Sequence, residues 1–234
     1  NNLGLYYEKI NEYEHAVDQY KRATKIKPNY YEAFNNMGLA LTELEKYDEA
    51  KNFLKQAIKI NPKFAEAYNN LGNIYSGVKN YHKAKTYYRK VIEVDPIFWK
   101  AYHNLGNVYR ITEEYNQAIL YYKKGIKINP NYYKSYYSMG VTLKENKQYE
   151  EAEKVLKQVI KFKPDFAKAH YNLGSIFRLV GDYKNSIHHQ KIAISLDPNS
   201  VVYLQNLLFC INYSVSGFPD AFPGSGCVEI ASLF

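Results

Sequence analysis

Along most of the chain the apolar positions recur with the period of a helix, and the pattern then starts again. From Ala65 onward, small or apolar residues fall at Tyr68, Leu71, Gly72 and Tyr75, the i, i+3, i+4, i+7 spacing of one helix face. The polar pair Lys79 and Asn80 follows, and a second run sets Tyr81, Ala84, Tyr88 and Val91 on a common face. That run is expected to stop at Pro96, which lacks the N–H a helix interior needs. Two helices joined by a short turn are therefore predicted in each 34 residues.

The same text repeats. Pro28, Pro62, Pro96, Pro130, Pro164 and Pro198 stand 34 residues apart, and so do Gly4, Gly38, Gly72, Gly106, Gly140 and Gly174. Tyr13, Tyr47, Tyr81, Tyr115, Tyr149 and Tyr183 keep a third register, and Ala16, Ala50, Ala84, Ala118 and Ala152 a fourth, broken at Ser186. Chance does not hold four registers through six cycles. The period predicts helix–turn–helix units stacked into a solenoid. Counting Ala65 as position 1 of a unit, glycine at position 8 lets two helices approach with no Cβ between them.

LGNIY, AKTYYRKVI and the closing DP resemble the tetratricopeptide repeat, which places Leu-Gly, Tyr, Ala, an aromatic, Ala and Pro at these spacings. The resemblance covers residues 1 to about 200. It implies an all-α, right-handed superhelical α-solenoid of six tandem repeats plus one extra helix, with the first helices lining a concave surface. Position 4, often Trp in that family, holds Phe34, Tyr68, Tyr102, Tyr136 and His170, and position 27 departs from Ala at Val91, Gly125 and Val159. Asn1 falls at position 5, so the first repeat is expected to be truncated. Residues 201–214 read as a seventh first helix, with Leu208 in place of the glycine and Phe209 and Cys210 exposed. The tail over 215–234 reads as loop or the start of a further domain.

On a helical wheel, positions 2, 5, 6, 9, 12 and 13 oppose the core face, and the resemblance makes them the groove. Position 6 reads Asn2, Asn36, Asn70, Asn104, Ser138, Asn172 and Asn206. An amide both donates and accepts, complementing a peptide group. Helices packed about 8–10 Å apart would bring one amide to every third residue or so of an extended chain. Two readings of this row stand open: it grips the backbone of a bound polypeptide, or its members bond one another and stiffen the stack. Asn73 and Asn107, at position 9, share the face.

Charge changes along the same face. Position 2 runs Glu32, Glu66, Lys100, Lys134, Lys168, and position 12 runs Glu8, Thr42, Ser76, Arg110, Lys144, Arg178. Repeats four to six therefore present six cations beside His103, Tyr137 and Tyr171, a face suited to an acidic or phosphorylated segment. In a chain of net charge +8 the alternative is an ordinary solvated surface. The abundant tyrosines, 26 in all, include the position-17 row and the pairs Tyr87-Tyr88 and Tyr121-Tyr122, all read as core rather than as stacking platforms for bases. A near-constant asparagine also argues against a base-reading code, which needs variation.

No catalytic constellation emerges. His188 and His189 are neighbours and point about 100° apart, His15, His82, His103 and His170 are scattered, and GSG at 224–226 lacks the Lys of a phosphate loop. No cofactor or metal is expected. Two cysteines favour a reducing, intracellular setting. The partner expected is a protein or peptide rather than nucleic acid or a membrane, with self-association left open. Repeat proteins that clamp a terminal carboxylate use Lys at position 5; here that position is Asn1, Asn35, Asn69, His103, Tyr137, Tyr171 and Gln205. The asparagine row, and LQNLLFCINYS at 204–214, are instead similar to the repeat half of O-linked N-acetylglucosamine transferases and SPINDLY-type proteins, where such a ladder holds substrate polypeptide. That resemblance implies either an adaptor or the substrate arm of a transferase whose catalytic half lies outside this chain.

Overall fold

A computed structural model describes residues 1–216, and among these all regular structure is helical. The chain divides into two compact units. The first, Asn1–Ile128, holds α1 (Asn2–Lys9), α2 (Tyr13–Ile26), α3 (Tyr31–Glu43), α4 (Tyr47–Ile60), α5 (Ala65–Gly77), α6 (Tyr81–Val94), α7 (Trp99–Ile111) and α8 (Tyr115–Ile128). The second, from Asn129 onward, holds α9 (Tyr133–Glu145), α10 (Tyr149–Phe162), α11 (Ala167–Leu179), α12 (Tyr183–Leu196) and α13 (Val201–Ser216). Within each unit an odd-numbered helix pairs with the even one that follows, and the pairs stack, as expected of an all-α repeat solenoid. The extra helix continues to Ser216, two residues past its expected end; the rest of the expected tail lies outside the described residues.

Each hairpin turns in one way. Asn80 N–H reaches back to Tyr75 O at 2.8 Å and Lys79 N–H to Ser76 O at 3.0 Å, and the residue between helix and turn takes a left-handed backbone. Five of these turns put a side chain there, at Asn11, Glu45, Lys79, Glu113 and Lys147 with φ near +60°; the sixth uses Gly181. The second helices end two residues before each proline, at Ile26, Ile60, Val94, Ile128, Phe162 and Leu196, not at the proline itself. A proline ring pushes the preceding residue out of the helical region, and Lys27 and Asn61 are extended.

The core registers meet across the hairpin. The ring of Tyr88 lies where a Cβ on Gly72 would be, 2.5 Å away, and Tyr122 stands at 2.6 Å in the same relation to Gly106. Leu156 and Gln190 fill that place behind Gly140 and Gly174. Ala84, Ala118 and Ala152 are fully buried, as is Ser186, which spends its hydroxyl on Gly174 O at 2.8 Å. The position-17 tyrosines are not core: each opens a second helix half-buried, and Tyr47 is 36% exposed. On the second helices the buried tyrosines are instead Tyr20, Tyr88 and Tyr122, seven residues further along.

Candidate functional site

The first helices carry the candidate residues, and packing between successive first helices decides what each can offer. In the first unit the position-6 amide of one repeat donates to the position-5 amide of the repeat before it. Asn70 Nδ2 donates to Asn35 Oδ1 at 2.8 Å, Asn104 Nδ2 to Asn69 Oδ1 at 3.2 Å, and Asn36 Nδ2 reaches Asn1 Oδ1 at 3.5 Å. Asn104 also donates to Asn73 Oδ1 at 3.2 Å. The position-5 asparagines are therefore not groove residues: Asn35 is 5% and Asn69 8% exposed, sunk in the seam. A buried amide must find partners, and the next repeat supplies them.

Asn70 and Asn104 remain partly exposed, and their Oδ1 atoms accept no hydrogen bond among the described residues. Asn36 differs, since its Oδ1 takes a bond from Asn35 Nδ2 at 3.3 Å. At position 9, Asn73 and Asn107 accept the buried hydroxyls of Tyr88 and Tyr122 at 2.8 and 2.7 Å, and Asn107 Nδ2 meets His103 Nε2 at 3.1 Å. These two amides satisfy core tyrosines first. On α7, Lys100 is exposed with its ammonium 5.7 Å from the Trp99 ring centre, and Arg110 is partly buried.

In the second unit a phenol replaces the position-5 amide. Asn172 Nδ2 donates to Tyr137 Oη at 3.2 Å and to Lys168 O at 2.8 Å, and Asn206 Nδ2 donates to Tyr171 Oη at 3.2 Å and to Val202 O at 3.0 Å. Asn172 is buried and its Oδ1 accepts from Lys144 Nζ at 2.6 Å. Burial pulls the Lys144 ammonium below its ordinary pKa; Arg178 pulls the same way, and Glu145 opposes both. Lys134 and Lys168 point into solvent, whereas Arg178 is partly buried beside Phe209.

Two features escaped the sequence reading. His170 and His189 are not scattered: their Nδ1 atoms meet at 3.1 Å, while His170 Nε2 donates to Pro164 O at 3.1 Å. Burial lowers the pKa of both rings, and with both neutral His170 Nδ1 accepts from His189 Nδ1–H. Burial first, then the neighbouring His170, His188 and Lys157, hold His189 down to about 4. The register could have revealed the pair, because positions 4 and 23 also bring Phe34 to Phe53 and Tyr102 to Tyr121. Cys210, expected on the surface, is fully buried with Sγ 3.1 Å from Ser186 Oγ. It sits at position 10, where Ala40, Ile74, Val108 and Ile176 are also buried against the neighbouring repeat; Phe209 is exposed as expected, at 48%.

No group of three or more His, Cys, Asp or Glu among the described residues could hold a metal ion, and no described helix is long and apolar enough to cross a membrane.

Solved structures similar to this chain include YrrB, a TPR protein with an unusual peptide-binding site, at 21% identity over 81% of this chain and 97% of that one, TM-score 0.69. PilW, a type IV pilus biogenesis factor, matches at 21% identity over 88% and 96%, TM-score 0.76. The pilF protein of Pseudomonas aeruginosa matches at 19% over 87% and 93%, TM-score 0.75. At these identities they establish the fold. No curated protein sequence matches the chain. Models described as TPR repeat match residues 4–44, 38–77 and 142–181, and others described as tetratricopeptide repeat match 65–98, 99–132, 121–154 and 167–200. Matched in this way from residue 4 to residue 200, the chain belongs to the tetratricopeptide repeat family.

Proposed function

We propose that this protein is a protein-interaction scaffold that lays an extended polypeptide along the faces of its first helices. The observation that carries this reading is the pair of unspent carbonyl oxygens on Asn70 and Asn104, held in fixed orientation because their N–H groups are tied to the preceding repeat. Each is ready to accept a backbone N–H of a ligand. The two roles weighed for the asparagine row are then compatible: one end of the amide stiffens the stack and the other binds. Contact through backbone tolerates many sequences, and the cations of repeats four to six favour acidic or phosphorylated ones. The peptide-binding site ascribed to YrrB, a relative in fold, supports the same class of role.

The test is binding of a randomised dodecapeptide array to the full chain and to the triple variant Asn36→Ala, Asn70→Ala, Asn104→Ala. At about 1 kcal/mol for each of the two bonds, to Asn70 and Asn104, the variant loses roughly thirtyfold in affinity. Its melting temperature also falls, since the stack bonds go. A lower melting temperature with unchanged peptide affinity would sink the proposal.

A second reading is favoured by α13, an uncharged helix following the last hairpin in first-helix register. Here the array is the substrate-recognition arm of an O-linked N-acetylglucosamine transferase-like enzyme, and the catalytic step belongs to a domain outside this chain. An antibody to the array decides between the two. An endogenous band near the 27.3 kDa of this chain rules the arm out, and a much larger one selects it.

A further inference from the structure

Position 12 of two successive first helices in the second unit carries Lys144 on α9 and Arg178 on α11, both partly buried. Neither has an ion-pair partner among the described residues. The Lys144 ammonium rests on a neutral acceptor, Asn172 Oδ1, at 2.6 Å. The Arg178 guanidinium lies over the Phe209 ring at 5.1 Å, and its Nε–H is buried with nothing to receive it. Elsewhere the chain neutralises cations sheltered to this degree: Lys85 is bonded to Glu114, and Lys51 to Asp48 at 2.6 Å. A cation drawn out of water without a counter-charge costs stability. Arg178 adds to the cost of the Lys144 charge, and Glu145, the next residue on α9, offsets part of it without bonding to the ammonium.

We infer that Lys144 and Arg178 form an anchor for one acidic side chain of the bound polypeptide, which supplies the missing counter-charge. The inference rests on the polypeptide-binding reading above and narrows it to a subsite. The anchor is separate from the solvent-exposed Lys100, Lys134 and Lys168, whose ammonium groups lose little to hydration and gain little from an exposed ion pair. Arg178 offers a planar fork that matches a carboxylate, and Lys144 a point charge held in place by Asn172. Two cations fit a single oxyanion; a nucleic-acid backbone would need a track of them.

The test uses the full chain and one acid-bearing dodecapeptide selected from the array, paired with the same peptide carrying Gln for its acid. The acid peptide is expected to bind about tenfold more tightly. Arg178→Gln and Lys144→Gln each abolish that advantage, bringing the two peptides to equal affinity. Arg178→Met, which removes the unmatched charge, keeps or raises the melting temperature of the free protein; a merely structural arginine would lower it. Equal affinity for the two peptides overturns the anchor while leaving polypeptide binding in place, as does displacement of the acid peptide by a 12-nucleotide oligouridine. An array that binds no peptide overturns both readings.

Discussion

The two units obey one register and fill it with different chemistry. At position 5 the first unit places Asn35 and Asn69, buried amides that take the next repeat's amide; the second places Tyr137 and Tyr171, phenols that take it. Behind the glycines of position 8 the first unit mostly packs a tyrosine ring, while the second packs Leu156 and Gln190. Where the first unit pairs Phe34 with Phe53 and Tyr102 with Tyr121, the second ends on His170 and His189. A helical hairpin demands only that volumes fit and buried polar atoms be met, and many residue pairs satisfy that. The first unit meets these demands mostly with amides and aromatic rings, whereas the second brings in phenols, an aliphatic side chain, an amide and a histidine pair.

Glycine substitution gives the largest expected break in the comparison. Gly106→Ala puts a methyl into the ring of Tyr122 and costs about 3 kcal/mol, whereas Gly174→Ala meets the flexible end of Gln190 and costs about 1 kcal/mol. Denaturant melts measure both; equal losses would mean that the hairpins close independently of what stands behind the glycine.

Acid comes next. His189 is neutral in the fold down to about 4, whereas in the unfolded chain it charges near 6.5, so the unfolded state binds more protons between these values. Stability of the second unit is therefore complete above pH 6.5 and declines as the pH falls toward 4. His170 of α11, His188 of α12 and Lys157 and Glu153 of α10 act on the same ring, the first three adding to the effect and the glutamate opposing it. The melting temperature should drop by ~5 °C between pH 7 and pH 4.5. In His189→Phe that drop should shrink, and hydrogen exchange should locate it at 167–196, sparing α3 to α8.

Removing the seam amide is a smaller perturbation. Asn69→Leu strands one donor of Asn104 and should cost about 1–2 kcal/mol, while Tyr171→Phe, relieving Asn206 of a more exposed bond, should cost ~0.5 kcal/mol. Smallest is the turn: Lys79→Gly frees a side chain held at φ +60° and should stabilise by ~0.5–1 kcal/mol, against a loss of similar size for Gly181→Ala. Thermal melts of the two turn variants should move in opposite directions.

Much of this was legible before any coordinates. Period, glycine, alanine and proline reported the hairpins because each answers a local demand: a missing Cβ, a missing N–H, a turn after a fixed number of residues. The same periodicity placed Asn70 and Asn104 on the partly exposed side of the first helices. It misjudged Asn35, Asn69, Asn172 and Cys210, which the sequence turns outward but neighbouring helices cover. It also could not say that Asn73 serves Tyr88, or that Lys144 and Arg178 lack a carboxylate while Lys85 has one. A helix wheel knows one helix, and these outcomes belong to pairs of helices, within a hairpin or between repeats. Sequence by itself determined the repeat, its family and which side of each first helix carries the asparagines. Only the tertiary structure decided which polar atoms on that face are already spent, because desolvation and hydrogen-bond partnership depend on the neighbour and not on the residue.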